Sequence, residues 1–111
     1  MAEIKPDVKL AEIENLTGFN KIIDKEALTV VDFYTPWCGP CRTFAPRFQQ
    51  LANDFKDVAF IKVDINKAED VSDLYGITSI PTIMLFRNGK KIMEVENLRD
   101  LSTEIQVNLN F

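Results

Sequence analysis

The stretch Leu28–Thr35, LTVVDFYT, is apolar almost without a break. Valine, phenylalanine and tyrosine favour extended backbone. A strand that is apolar at nearly every position cannot leave one face in water, so it must lie in a sheet covered on both sides. The rest of the chain supplies the cover. From about Gly39, the residues Phe44, Phe48, Leu51 and Phe55 recur at spacings of four, three and four, which is the period of a helix face. Pro46 falls inside this pattern and predicts a kink.

Weaker signals complete the order. Ala11–Ile13 reads as a short first strand, and Asn15–Asp24, with Phe19, Ile22 and Ile23, as a short helix. Val58–Ile65 is the next strong strand. Ala68, Val71 and Leu74 are assigned to one face of a short helix that Gly76 can end. Thr82–Phe86 is a strand, Asn88-Gly89 a tight turn, and the following KIMEVE the return strand. Leu98, Leu101, Ile105 and Leu109 mark a last helix. The order β-α-β-α-β-α-β-β-α begins as crossover units and closes with a hairpin. It predicts an α/β fold with a central mixed sheet and helices on both faces. The 111 residues suit one domain, with residues 1–9 expected as a flexible or atypical extension.

Composition narrows the function. A net charge of −4 and no basic block disfavour nucleic-acid binding, because phosphates repel an acidic surface. No apolar run has the length of a secretory signal or a membrane span, so the expected compartment is the cytoplasm. There is no histidine, which removes histidine ligands and histidine proton transfer from this chain.

Both cysteines, Cys38 and Cys41, lie in the stretch YTPWCGPCRTFAP. Three readings are open. The pair is half of a metal site, an inert couple in a core, or a reversible disulfide. Zinc normally takes four ligands, and no second cysteine pair is present, although carboxylates or a second subunit can complete a site. Gly39 and Pro40 tune a loop and do little for a core. Placement after a buried strand and at a helix start favours a thiolate, since the unpaired N–H groups there carry partial positive charge. On the redox reading, Cys38 attacks a substrate disulfide, and Cys41, one turn deeper, resolves the mixed disulfide. Trp37 is either a partly exposed packing residue or an apolar contact for a peptide beside the sulfur.

Asp32 interrupts the apolar strand. It is either an edge residue with its acid in water or a buried acid with a raised pKa. In the second case it can relay a proton to or from Cys41, with Lys62 as a candidate partner. Pro81, in SIPT, would ordinarily follow a trans bond. A cis bond would instead turn the Ile80 backbone outward to pair with an extended peptide.

Several of these segments, taken together, resemble the thioredoxin family. They are Asp32-Phe33-Tyr34, Trp37-Cys38-Gly39-Pro40-Cys41, Tyr75-Gly76-Ile77, Ser79-Ile80-Pro81-Thr82 and Phe86-Arg87-Asn88-Gly89, in the family's order and from about Leu10 onward. The resemblance implies a thioredoxin-like fold and a monomeric protein-disulfide reductase with no bound cofactor. It makes Cys38 the nucleophile, Cys41 the resolving thiol and Asp32 the buried acid near Lys62. Pro81 becomes a cis-proline facing the disulfide, and Trp37, Gly39, Pro40, Ile80 and Pro81 line the client surface. Implied partners are thioredoxin reductase, which uses NADPH, and clients such as ribonucleotide reductase, peroxiredoxin and methionine sulfoxide reductase.

Three departures stand out. Tyr34 replaces a frequent tryptophan, Thr35-Pro36 is similar to the lead-in of disulfide-isomerase domains, and Asn97 falls where most members place a glycine in the client groove. Asn97 bears on client range and on recognition by the reductase. The alternative function is a redox-regulated binding module that uses the groove around Trp37 and Pro81 with little turnover. Replacing Pro40 with histidine is expected to make the dithiol more oxidising, and equilibration with glutathione measures it; an unchanged or more reducing potential contradicts that assignment of Pro40.

Overall fold

The computed structural model describes residues 6–110. Its elements run β1 (Ala11–Ile13), α1 (Leu16–Ile23), β2 (Thr29–Tyr34), α2 (Gly39–Asp54), β3 (Ala59–Asp64), α3 (Glu69–Leu74), β4 (Thr82–Arg87), β5 (Lys90–Val95), a 3-10 turn (Leu98–Asp100) and α4 (Leu101–Leu109). The five strands form one sheet in the order β1-β3-β2-β4-β5. β1 and β2 run parallel to β3, while β4 is antiparallel to both β2 and β5. The mixed sheet and the element order match the sequence expectation.

β2 is the middle strand, and this accounts for its continuous apolar run. Val30, with Leu28 just before the strand, packs against Phe44, Phe48 and Leu51 of α2 and Leu101 and Ile105 of α4. Val31 and Phe33 point to the other face, against Phe19 and Ile23 of α1 and Val71 of α3. The sheet therefore carries two cores. The second is largely aromatic. The Phe19 ring lies 5.3 Å from Phe86, 5.5 Å from Tyr75 and 6.3 Å from Phe33.

Local signals set the ends of the elements. Asn15 caps α1, its Oδ1 accepting from the Gly18 N–H at 2.8 Å. α3 ends at Gly76 (φ 62°), where Ile77 N–H reaches Ser72 C=O at 3.1 Å and Gly76 N–H reaches Asp73 C=O at 3.2 Å. Asn88 and Gly89 take φ of 55° and 78°, the geometry a two-residue hairpin turn requires.

Pro46 lies inside α2 and is exposed. Two details differ from the pattern read along the chain. Leu74 is 59% exposed, while Ala68, Val71 and Ser72 are buried and Tyr75 is half-buried. Six residues leave a helix about 120° short of two whole turns, whereas seven nearly close them, so Tyr75 and not Leu74 shares the Ala68 face. Part of the expected N-terminal extension is held against α2. Val8 N–H donates to Asn53 Oδ1 at 2.9 Å, and Gln49 Nε2 donates to Val8 C=O at 2.8 Å. Residues 1–5 of that extension lie outside the described residues.

Phe19 is fully buried and joins three rings, so Phe19→Ala is expected to cost about 3–5 kcal/mol. Urea unfolding reads this as a lower midpoint at unchanged slope.

Candidate active site

β2 ends at Tyr34, and the chain turns through Thr35, Pro36 and Trp37 into α2. The turn is closed by Cys38 N–H donating to Thr35 C=O at 3.3 Å. Cys38 is the N-cap of α2, and its Sγ accepts from the Cys41 N–H at 3.1 Å. A helix N-terminus concentrates unpaired N–H groups and partial positive charge, so this position stabilises negative charge on sulfur. Pro40 sits in the first turn, where a missing N–H breaks no helix bond. Gly39 is exposed, and a Cβ there would meet nothing within 4 Å.

The sulfurs of Cys38 and Cys41 are bonded, with Cα atoms 5.2 Å apart, inside the range that needs no backbone movement. Their surroundings differ. Cys38 is half-buried, whereas Cys41 is 3% exposed beneath it. Trp37 beside them is 75% exposed, so its ring is an apolar surface and not a core residue. The loop before β4 comes to the same place. Cys38 Sγ lies 3.9 Å from the Ile80 carbonyl oxygen, and the Ile80–Pro81 bond is cis. Thr82 Oγ1 donates to Ser79 C=O at 2.6 Å, tying the two ends of that loop together.

Asp32 is 1% exposed in the middle of β2, which removes the edge-strand reading. It lies on the face covered by α2, and its Oδ1 has no hydrogen-bond partner. Burial pushes its carboxyl up to about 7, and the Lys62 charge opposes the rise. Lys62 is the register partner of Asp32 on β3. Its ammonium is not directed at the acid alone, because it stands 4.2 Å from the centre of the Tyr34 ring. The Tyr34 hydroxyl donates to Glu12 Oε1. Burial, that hydrogen bond and the charges of Glu12, Asp64 and Asp32 all push the Tyr34 phenol up. Burial also pushes Tyr75 up, on the opposite face.

Asn97 follows the edge strand β5 and caps the 3-10 turn, its Oδ1 accepting from the Arg99 N–H at 3.0 Å. Its backbone is extended (φ −117°), so no left-handed conformation requires a glycine there. Glu12 was not among the residues singled out from sequence. The alternation of β1 put it on one face, but only the pairing of β1 with β3 brings it to Lys62. Among the described residues no group of three or more His, Cys, Asp or Glu side chains is placed to hold a metal ion. No helix there is long and apolar enough to cross a membrane.

A family model described as Thioredoxin matches residues 9–108. Thioredoxin-1 of Schizosaccharomyces pombe is 33% identical over 99 residues, covering 89% of this chain and 96% of that protein. The thioredoxin of Mycoplasmoides gallisepticum is 45% identical over 80 residues, covering 72% and 74%. The solved structure of Fasciola hepatica thioredoxin superposes with a TM-score of 0.84 at 32% identity, over 88% of this chain and 98% of that one. The structure from Trypanosoma brucei brucei reaches a TM-score of 0.88 over the whole of both chains at 24% identity, a likeness of fold. With a half-exposed sulfur bonded to a buried one at a helix start, the chain belongs to the thioredoxin family and is a thiol–disulfide oxidoreductase of protein disulfides.

Proposed function

We propose that Cys38 is the nucleophile, Cys41 the resolving thiol and Asp32 the proton acceptor and donor of the cycle. The observation that carries this reading is the unequal burial of two sulfurs bonded across one helical turn. In the dithiol form the Cys38 thiolate attacks one sulfur of a client disulfide. One S–S bond forms as the client's own S–S bond breaks, and the client's other sulfur leaves as a thiolate. The Cys41 thiol passes its proton to the Asp32 carboxylate and attacks Cys38. The Cys38–Cys41 bond forms, the mixed disulfide breaks and the client leaves fully reduced. Asp32 suits this role because burial brings its carboxyl to about 7, where it can both take and return a proton near neutral pH.

The client surface combines Trp37, Gly39, Pro40, Ile80 and Pro81. Trp37 offers an exposed ring, Gly39 leaves open space, and the Ile80 carbonyl is beside the reactive sulfur as an acceptor for an extended backbone. Asn97 belongs to the rim of that surface, with its carboxamide held by the turn it caps. The oxidised pair is returned to the dithiol by thioredoxin reductase, which draws on NADPH. Ribonucleotide reductase, peroxiredoxin and methionine sulfoxide reductase are the client types. The thioredoxin-like domain acts as a monomer without a bound cofactor, and a reducing compartment, the cytoplasm, suits a dithiol that must act as donor.

Reduction of insulin by the protein, coupled to reductase and NADPH, is the direct test; a folded protein that oxidises no NADPH above background removes the reading. Cys38→Ser is expected to abolish turnover, and Cys41→Ser to accumulate Cys38-linked adducts with clients. Mass spectrometry that finds no such adducts, with clients present, removes the role given to Cys38.

The buried acid also has a stability consequence. Its folded pKa of about 7 lies above the ordinary 3.8, so between those values the folded chain keeps a proton that the unfolded chain has released. Stability is therefore highest below that window and falls as pH rises through it. Asp32→Asn is expected to flatten this dependence and to leave the protein more stable above pH 7, by an amount of order 4 kcal/mol at most. Urea unfolding at pH 5 and pH 8 for both proteins measures it.

A further inference from the structure

Lys62 lies between two acids. On the α2 face of the sheet, Glu12 of β1 pairs in register with Lys62 of β3, and Lys62 pairs in register with Asp32 of β2. A lysine ammonium is a compact charge on a flexible stem, so it can lean toward either carboxylate. Leaning toward Glu12 would take it to the exposed edge and away from the buried acid.

Tyr34 decides between them. It stands on β2 two residues beyond Asp32 and on the same face. Its ring receives the Lys62 ammonium at 4.2 Å, within the reach of a cation–π contact. Its hydroxyl donates to Glu12 Oε1 and so occupies an oxygen that would otherwise compete for the ammonium. One side chain thus holds the cation and engages its rival acceptor.

We propose that Tyr34, anchored by Glu12, is a positioning residue that seats Lys62 so that its charge acts on Asp32. The proposal rests on the reading of Asp32 as the proton relay. Around Asp32, β3 contributes Lys62 and, two residues on, Asp64; β1 contributes Glu12 and β2 contributes Tyr34. Across the other side of the row stand Ile83 of β4 and Val95 of β5, both apolar. α2 contributes the Cys38–Cys41 pair, and α4 turns Leu101 and Ile105 to this core. Lys62 is thus the positive charge in a row that otherwise holds acids, thiols and hydrocarbon. Where it rests decides how far burial can raise the acid, and therefore what fraction of Asp32 is a carboxylate ready to accept the Cys41 proton.

The test is a carbon-13 NMR titration of the Asp32 carboxyl in the reduced protein, for wild type, Tyr34→Leu, Tyr34→Phe, Lys62→Met and the Tyr34→Leu/Lys62→Met double variant. Tyr34→Leu is expected to move the Asp32 midpoint upward by at least about half a pH unit, part of the one-to-three-unit influence of a close opposite charge. In the Lys62→Met background the same change is expected to produce no further shift, because the charge it positions is gone. Tyr34→Phe keeps the ring packed in the fold and loses only the hydroxyl, and a smaller upward shift is expected. Equal shifts from Tyr34→Leu in both backgrounds, or none in either, overturn the proposal, and a Tyr34→Phe midpoint identical to wild type removes Glu12 from it. The titration reads the Lys62 seat whether or not Asp32 moves protons. The relay itself fails separately, if Asp32→Asn resolves the mixed disulfide at the wild-type rate across pH 6–9.

Discussion

The site depends on a helix that starts where a buried central strand stops. β2 has a neighbour on each side and a core on each face, so the chain leaving it can only emerge at the sheet's end. α2 begins there, and its first turn presents N–H groups that nothing inside the helix can satisfy. Cys38 fills that vacancy with sulfur, accepting from the Cys41 N–H. The same geometry tucks Cys41 one turn down against the sheet, where water does not reach it. Exposure of one sulfur and burial of the other follow from a single junction. A dithiol on a free loop would have neither the charge stabilisation nor the asymmetry.

The two faces of the sheet divide the work. The face under α1 and α3 packs the rings of Phe19, Phe33, Tyr75 and Phe86 together and contributes apolar cover. The face under α2 and α4 carries, beside its own apolar core, the row of Glu12, Lys62 and Asp32. Asp32 is buried at one end of this row and Glu12 is exposed at the other, so the Lys62 charge acts through less water on Asp32 than on Glu12. The unpartnered Asp32 oxygen is destabilising for the fold and useful for chemistry, because an acid fully satisfied by fixed donors would not titrate near neutrality.

Much of this could be read along the chain. LTVVDFYT announced a strand covered on both faces, Asn88-Gly89 a hairpin and Gly76 a helix end, since each rests on local sterics or periodicity. The paired cysteines and their helix start were equally local. Leu74 misled because spacings of three suggest a face without specifying it over two turns, and Tyr75 occupied the place instead. Asp32 left two readings open, because whether a strand is central or at an edge depends on partners far away in sequence. Glu12 gave no signal at all, since a lone acid in a weak three-residue strand acquires meaning only from the strand beside it.

Element types, the hairpin, the capped helices and the reactive thiol pair belong to short-range chemistry, where spacing and backbone sterics suffice. The order β1-β3-β2-β4-β5 belongs to long-range packing. That order buries Asp32, sets Lys62 between two acids and brings the Ile80 carbonyl to within 3.9 Å of Cys38. No stretch of residues encodes these meetings locally, because each joins segments whose proximity is set by how two apolar faces of one sheet find their cover.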